Sequence, residues 1–381
     1  MNKIKLLFKI GYIYHKAAMD PLIDIFAEDD KYDVSLSLTE ESIKKFGLFN
    51  LSQNERFMDL IDDARFRITD EKEKFDVVIV GDTIRDADKF RNALLCFVNH
   101  GTGIKNVLYR NLRKHAGTQY MIFVEGDYRV EKLEESGSLG ESKVFKVGLP
   151  KLDPYFREGY FDREKILLKT GLNPDKKTVL FAPTYKPTCI FEVKDHIFTE
   201  TTDYNLIIKL HHYSWMGKYA SPKQHKVFEE RLPNFPHARL ISVEDYNIIP
   251  YMAVADTLIS EASSTVFDFL AMKKIGIIYN LDHDKLKHSD GEHVLTENNR
   301  EFLKDAFVHI DKPNQIREAV GSALNPTPEM IAKADEYRDY FFYKLDGWAS
   351  VRLKEKVEEL LSEKRMSGNV VARKRSDEAI S

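Results

Sequence analysis

Ile259-Ser260-Glu261-Ala262-Ser263-Ser264-Thr265-Val266-Phe267-Asp268-Phe269 follows the apolar run Val254-Ala255-Asp256-Thr257-Leu258 and precedes Met272-Lys273-Lys274-Ile275-Gly276-Ile277-Ile278-Tyr279. The stretch reads as a buried strand, a small hydroxyl-rich turn, a helix and a second buried strand. That succession is the repeating unit of a parallel α/β sheet. The turn sets backbone N–H groups, two serines and a threonine at a helix N-terminus, where unpaired donors and the positive end of the helix dipole suit a phosphate. The same residues also fit an ordinary N-cap made by Ser263 or Ser264. Both readings stand at this point.

Working outward, the same alternation recurs. Asp76-Val77-Val78-Ile79-Val80 ends at Gly81-Asp82, Leu94-Leu95-Cys96-Phe97-Val98 at Asn99-His100-Gly101-Thr102-Gly103, and Tyr120-Met121-Ile122-Phe123-Val124 at Glu125-Gly126-Asp127. Lys143 to Val147 ends at Gly148-Leu149-Pro150. Residues 151–176 break the rhythm with prolines around a charged helix at about 163–170, which marks an interdomain connection. A second series follows at 178–182, 206–210, 238–241 and 257–260. Residues 327–363 read as helical, with Leu353, Val357, Leu360 and Leu361 at helical spacing. The polar, basic stretch after Lys364 reads as disordered.

Composition narrows the function classes. A chain of 381 residues exceeds one typical core, so two domains are expected. With 43% hydrophobic and 31% charged residues the chain is an ordinary folded protein, and a formal net charge of -4 gives no pull toward nucleic acid. Cys96 and Cys189 stand far apart, which argues against a disulfide framework or a zinc CxxC pair and for a reducing, cytoplasmic setting. No apolar run approaches the roughly 18 residues of a spanning helix. Lysines interrupt the opening Lys3–Tyr12 segment, which reads as a first strand or short helix rather than an export signal. Phosphate-loop, dinucleotide, serine-elbow, zinc-protease and kinase signatures are absent from the sequence.

Ligands of parallel sheets gather beyond the carboxyl ends of the strands, so the loops there carry the chemistry. His100, in a glycine-rich loop, has the side chain whose ordinary pKa of about 6.5 suits a general base; a loop histidine satisfied by nearby backbone is the plainer reading. Lys209 and His211 follow a strand on one face and could meet a diphosphate or a leaving group, or Lys209 could simply reach solvent. His212 reads as packing. Thr184 could donate to a phosphate or close a turn, and Glu244 could bind ribose or start a helix.

Taken in order, these loops resemble the CDP-glycerol glycerophosphotransferase family, the teichoic-acid primase and polymerase group. The family's Trp-His-Gly-Thr-Pro-Leu-Lys segment is similar to Asn99-His100-Gly101-Thr102-Gly103-Ile104-Lys105, and its Gly-x-Pro-x-x-Asp-Pro-Tyr link to Gly148–Tyr155. Its Leu-Tyr-Ala-Pro-Thr segment resembles Leu180-Phe181-Ala182-Pro183-Thr184, its Lys-Leu-His-Pro resembles Lys209-Leu210-His211-His212, and its Asp-Tyr-Ser-Ser-x-x-Phe-Asp resembles Glu261–Asp268. A terminal Asp-Gly-x-x-Ser pattern looks like Asp346–Ser350. The departures are Asn99 for Trp, Gly103 and His212 for Pro, and Glu261-Ala262 for Asp-Tyr, all expected to line the cleft.

The resemblance implies an α/β GT-B fold: a Rossmann-like acceptor-side domain at 1–160, a Rossmann-like CDP-donor domain at 161–345, and a helix at 346–364 crossing back, before a basic tail at 365–381. It implies transfer of a polyol phosphate, glycerol phosphate first, from a CDP donor to an acceptor hydroxyl in teichoic-acid or capsule synthesis, with release of CMP. His100 and His211 would be catalytic. Gly101, Thr102, Thr184, Lys209, Glu244, Glu261, Ser263, Ser264 and Thr265 would bind substrate. No resident cofactor is implied, and the resemblance leaves room for a divalent cation such as Mg2+. The acceptor would be lipid-linked or polymeric, with peripheral contact to the inner face of the plasma membrane through the basic tail and Lys3, Lys5 and Lys9. A sugar-nucleotide glycosyltransferase or UDP-sugar 2-epimerase of the same fold is the first alternative, and a non-catalytic nucleotide-binding protein the second.

Overall fold

The computed structural model describes residues 3–378 apart from 39–41, 46–48, 53–64, 216–223, 283, 285, 289 and 299, with backbone alone at 42–45, 49–52 and 367–378. In the first half the strands are β1 (Ile4–Ile10), β2 (Tyr32–Leu38), β3 (Ser42–Lys45), β4 (Phe49–Ser52), β5 (Arg67–Ile68), β6 (Val77–Val80), β7 (Leu94–Val98), β8 (Met121–Val124) and β9 (Lys143–Lys146). In the second half they are β10 (Thr178–Phe181), β11 (Asn205–Ile208), β12 (Ala238–Leu240), β13 (Thr257–Ser260), β14 (Ile277–Tyr279) and β15 (Val308–Ile310). The first sheet runs β5-β2-β1-β6-β7-β8-β9 and the second β12-β11-β10-β13-β14-β15, while β3 and β4 form a separate hairpin. Every pair within the two large sheets is parallel.

Parallel sheets are covered on both faces, and the central strands are correspondingly apolar throughout. All residues of β6, β7, β10 and β13 are buried. In each sheet the strand order reverses beside its first strand, between β1 and β6 and between β10 and β13. Such switch points open a crevice at the carboxyl ends. The two crevices are bordered by the loops after β1 and β6 on one side and after β10 and β13 on the other. This is the two-sheet GT-B architecture.

Two expectations change, the disordered tail and the exposed Lys9. Residues 327–363 form two helices, Pro328–Phe341 and Ala349–Glu378, separated by an extended Phe342 and by Gly347 at φ +80°, and the last helix begins close to the expected position 346. The second of them continues to Glu378, through the segment expected to be disordered. It does cross back: Leu353, Val357, Leu360 and Leu361 join the core formed by β1, β2 and the first helix, Ile13–Ala27. Asp153 caps it by accepting the N–H groups of Ala349 (3.0 Å) and Ser350 (2.7 Å). Lys9, expected on a basic membrane-facing edge, is buried and paired with Glu71 (2.6 Å) and Asp86 (3.3 Å). It lies on β1, which is flanked by β2 and β6 and has no solvent edge. Lys5 pairs with Glu73 at 2.8 Å.

One buried polar node joins the halves. Lys151 Nζ lies 2.8 Å from the Asp268 carboxylate and donates to the His100 carbonyl at 3.2 Å. Thr102 Oγ1 donates to Asp268 Oδ1 (2.9 Å) and to the Ser264 carbonyl (3.1 Å). Both charged side chains are almost fully enclosed, at 7% and 3% exposure. Removing one partner of such a pair strands a buried charge. Lys151→Met is therefore expected to cost about 3–5 kcal/mol in urea unfolding. Lys151→Met combined with Asp268→Leu should recover most of that loss. A single variant within about 1 kcal/mol of the parent would refute the assignment.

Candidate active site

The loops at the carboxyl ends of β1, β6, β7, β10, β11 and β13 enclose a cavity of about 340 Å³ between the two sheets. His100, Gly101, Thr102, Thr184, Lys209, His211, Ser263, Ser264 and Thr265 all line it. Glu244 and Glu261 do not. Glu261 is fully enclosed and accepts the N–H groups of Thr184 (2.8 Å) and Cys189 (2.8 Å) and the Thr188 hydroxyl (3.0 Å). Its carboxylate clamps the loop after β10 instead of meeting a ribose. Glu244 accepts from the neighbouring Ser242 hydroxyl. Of the departures from the family pattern, Asn99, Gly103 and His212 line the cavity, while Glu261 and Ala262 lie outside it.

Hydrogen bonding fixes opposite tautomers on the two histidines. His100 Nδ1 is 2.5 Å from the Gly81 carbonyl. A carbonyl can only accept, so Nδ1 carries the hydrogen and Nε2 keeps a free lone pair. His211 Nδ1 lies 3.1 Å from the Tyr213 backbone N–H, which can only donate. The His211 proton therefore sits on Nε2. Burial holds both rings below the ordinary histidine pKa, so both are neutral near pH 7. One ring is thus arranged to accept a proton and the other to donate a hydrogen bond. The Tyr14 ring stands between them, its centroid 5.6 Å from that of His100 and 5.3 Å from that of His211.

Facing these rings is the helix Ser264–Ala271. Ser263 is its N-cap and accepts from the Thr265 N–H at 3.4 Å, so the plainer reading of that serine holds. The Ser264 hydroxyl makes no hydrogen bond among the described residues and faces the cavity. Lys105, Lys151 and Lys209 also line the cavity, and Lys151 is paired with Asp268. Lys105 and Lys209 form neither an ion pair nor a side-chain hydrogen bond among the described residues. Burial lowers the Lys105 pKa and brings that of Lys209 down to about 8. Unpaired ammonium groups beside a helix N-terminus form a site for a multiply charged anion. His212 is pushed down to about 4 by burial and by Lys209, so it stays uncharged.

The loop carrying His100 is held from behind. Arg129 donates to the Gly103 carbonyl (2.9 Å), the Tyr109 hydroxyl (2.7 Å) and Glu125, its buried partner at 2.9 Å. Gly103 takes φ +94°, and a Cβ there would lie 2.3 Å from the Phe267 ring. Tyr14, Asp82, Lys105, Lys151 and Asp268 were not singled out from sequence. Lys105, Lys151 and Asp268 lie inside the quoted motifs, whereas no motif marks Tyr14 or Asp82. No three His, Cys, Asp or Glu side chains among the described residues form a metal-binding group, and no helix there is long and apolar enough to cross a membrane.

The family model for CDP-glycerol:poly(glycerophosphate) glycerophosphotransferase matches residues 92–359. The chain is 24% identical over 259 residues to a teichoic acid poly(ribitol-phosphate) polymerase of Bacillus spizizenii, covering 65% of this chain and 36% of that protein. It is also 24% identical to a teichoic acid glycerol-phosphate primase of Bacillus subtilis, covering 60% of this chain and 55% of the relative. The chain thus spans about half or less of the curated relatives it matches. Among solved structures, the wall teichoic acid polymerase TagF superposes with a TM-score of 0.68 at 15% identity, covering 96% of this chain and 90% of that one. A Listeria monocytogenes putative UDP-N-acetylglucosamine 2-epimerase superposes at 0.61 with 14% identity, covering 95% and 98%.

Lys209 gives the site a pH signature. Its charged form, which would hold an anion, is lost as pH rises through about 8. Anion affinity, read by calorimetry with CMP, should be full near pH 7 and fall above about pH 8. Lys209→Met should bind weakly at every pH and lose that limb. A parent protein whose affinity stays flat to pH 9.5 would contradict the assignment.

Proposed function

The chain belongs to the CDP-glycerol:poly(glycerophosphate) glycerophosphotransferase family, and on that premise we propose that it transfers a polyol phosphate from a CDP donor to an acceptor hydroxyl. Glycerol phosphate is the first donor group to test. The observation that carries this reading is the pair of opposite tautomers across one cavity. His100 Nε2 takes the proton of the acceptor hydroxyl. The acceptor oxygen attacks the phosphorus bearing the polyol, and that phosphorus loses its bond to the bridging oxygen, which departs with CMP. His211 Nε2–H and the Lys209 amine donate to the charge that develops on the leaving phosphate. Ser264, Thr265 and the N-terminus of their helix hold the diphosphate from the second half, and Lys105 reaches it from the first.

In this reading residues 1–160 form the acceptor side and residues 161–345 the donor side. The acceptor is a lipid-linked or polymeric hydroxyl of a cell-surface polymer, met at the cytoplasmic face of the membrane. The basic residues at the end of the last helix (Arg365, Arg373, Lys374 and Arg375) then supply the membrane contact. TagF, a protein of the same fold, has been solved after soaking with CDPG.

Donor class separates this reading from a UDP-sugar enzyme. CDP-glycerol at about 100 times its dissociation constant should stabilise the protein by roughly 2.7 kcal/mol. UDP-N-acetylglucosamine should do far less, and stabilisation by UDP-sugars alone would overturn the proposal. His100→Ala should lower turnover by about 10²–10⁴-fold with donor affinity nearly intact. His211→Ala should instead weaken binding of CDP-glycerol and CMP.

A further inference from the structure

Behind His100 lies a second imidazole that the proposed reaction leaves unused. His15, on the first helix, is 1% exposed, and neither of its ring nitrogens has a hydrogen-bond partner among the described residues. Its ring centroid is 4.2 Å from that of His100, with 37° between the planes. Burying an imidazole without partners is costly, and an aliphatic residue would fill the space without that cost.

The surroundings explain why the ring is a small aromatic one. A Cβ on Gly81 would stand 3.1–3.2 Å from the His15 ring and 2.9 Å from Met19 Cε, and a Cβ on Gly11 would stand 3.5 Å from His15 Nδ1. His15 therefore lies against bare backbone in a slot cut to a five-membered ring. Tyr12 and Tyr14 meet it edge-on, at 5.2 Å and 4.7 Å. The wall of that slot, Gly81, is also the residue whose carbonyl binds His100 Nδ1. Gly81, His15 and His100 thus form one packed unit, in which the ring plane and the tautomer of His100 are set together.

We propose that His15 is a positioning residue for His100: its ring fixes the plane of the His100 imidazole and presents an uncharged π face to it as it takes up a proton. The inference rests on His100 being the base of the proposed reaction. Burial, and then the nearness of His100, keep His15 well below the ordinary histidine pKa, so it stays neutral through the working range. A cation over a desolvated aromatic face is stabilised, and here the cation is the imidazolium formed when the acceptor hydroxyl is deprotonated. Asp82 also favours that charge, whereas Lys151 and Lys105 oppose it. Across the cavity, His211 is neutral.

The test is His15→Leu, which keeps the bulk and removes the ring. With CDP-glycerol and a hydroxyl acceptor, kcat should fall about 10-fold or more, with donor KM within about twofold. The acid limb of the pH–rate profile should move to lower pH, because His100 loses a group that favours its charged form. A purely space-filling role would change the melting temperature and leave the acid limb in place. Should His15→Leu fail to fold, Gly81→Ala serves instead, because its Cβ presses on the His15 ring; the same loss of kcat at unchanged donor KM is expected. Parent-like kcat and acid limb in a folded variant of either kind would overturn the proposal. His100→Ala separates the two failures. If it retains turnover, the base assignment falls; if it is inactive while His15→Leu is normal, only the role of His15 falls.

Discussion

The buried ion pair between Lys151 and Asp268 is the contact on which the geometry of the cleft depends. It ties the connection after β9 to the helix that follows β13, and so ties one sheet to the other. Each charge alone would be prohibitively desolvated; together, with Thr102 and the His100 carbonyl as further partners, they are satisfied. The pair also brings the two functional loops into register. Thr102 is two positions after His100, and Asp268 lies one turn past Ser264. Drawing Thr102 onto Asp268 therefore sets the base-bearing loop against the anion-binding helix. A hydrophobic substitute would hold the halves together, but it would not orient these loops.

Electrostatics inside the cleft follow from enclosure. The histidines are neutral because they are buried, and their proton positions are dictated by backbone groups of fixed character, a carbonyl behind His100 and an N–H behind His211. The cationic work falls to Lys105 and Lys209, the latter charged at neutral pH and losing its charge as pH rises through about 8. The substitution of proline by Gly103 belongs to the same design. Proline is confined to φ near −65°, whereas this residue sits at +94° with the Phe267 ring in the place of a side chain. The loop therefore follows a backbone path closed to any relative with proline there, and Phe267 fills the space that path leaves.

Much of the architecture was legible in the sequence. The central strands of both halves stood out as short apolar runs ending in Gly, Asp or His, while β2 to β5 and β15 did not, and the functional loops lie at the ends of the central strands because parallel strands deliver them there. What stayed hidden depended on sheet order and long-range contacts. Lys9 looked like a surface charge because alternation cannot tell an edge strand from an interior one. Glu261 looked like a ligand because it follows a strand, yet the residue after a strand can turn toward a neighbouring loop as readily as toward the crevice. Lys151 and Asp268 are separated by 117 positions, and nothing in either neighbourhood announces the partner. The start of the last helix was legible at Asp346-Gly347, where the chain turns at a left-handed glycine, but its continuation to Glu378 was not, because the polar, basic composition there reads as disorder.

The claim at the centre of this account is that the cleft holds two neutral histidines with opposite proton positions. Nitrogen-15 NMR of histidine-labelled protein near pH 7 reports this directly, with His100→Ala and His211→Ala spectra assigning the signals. His100 should be protonated on Nδ1 with Nε2 free, and His211 protonated on Nε2 with Nδ1 accepting. Finding His100 protonated on Nε2, or either ring cationic at that pH, would contradict it.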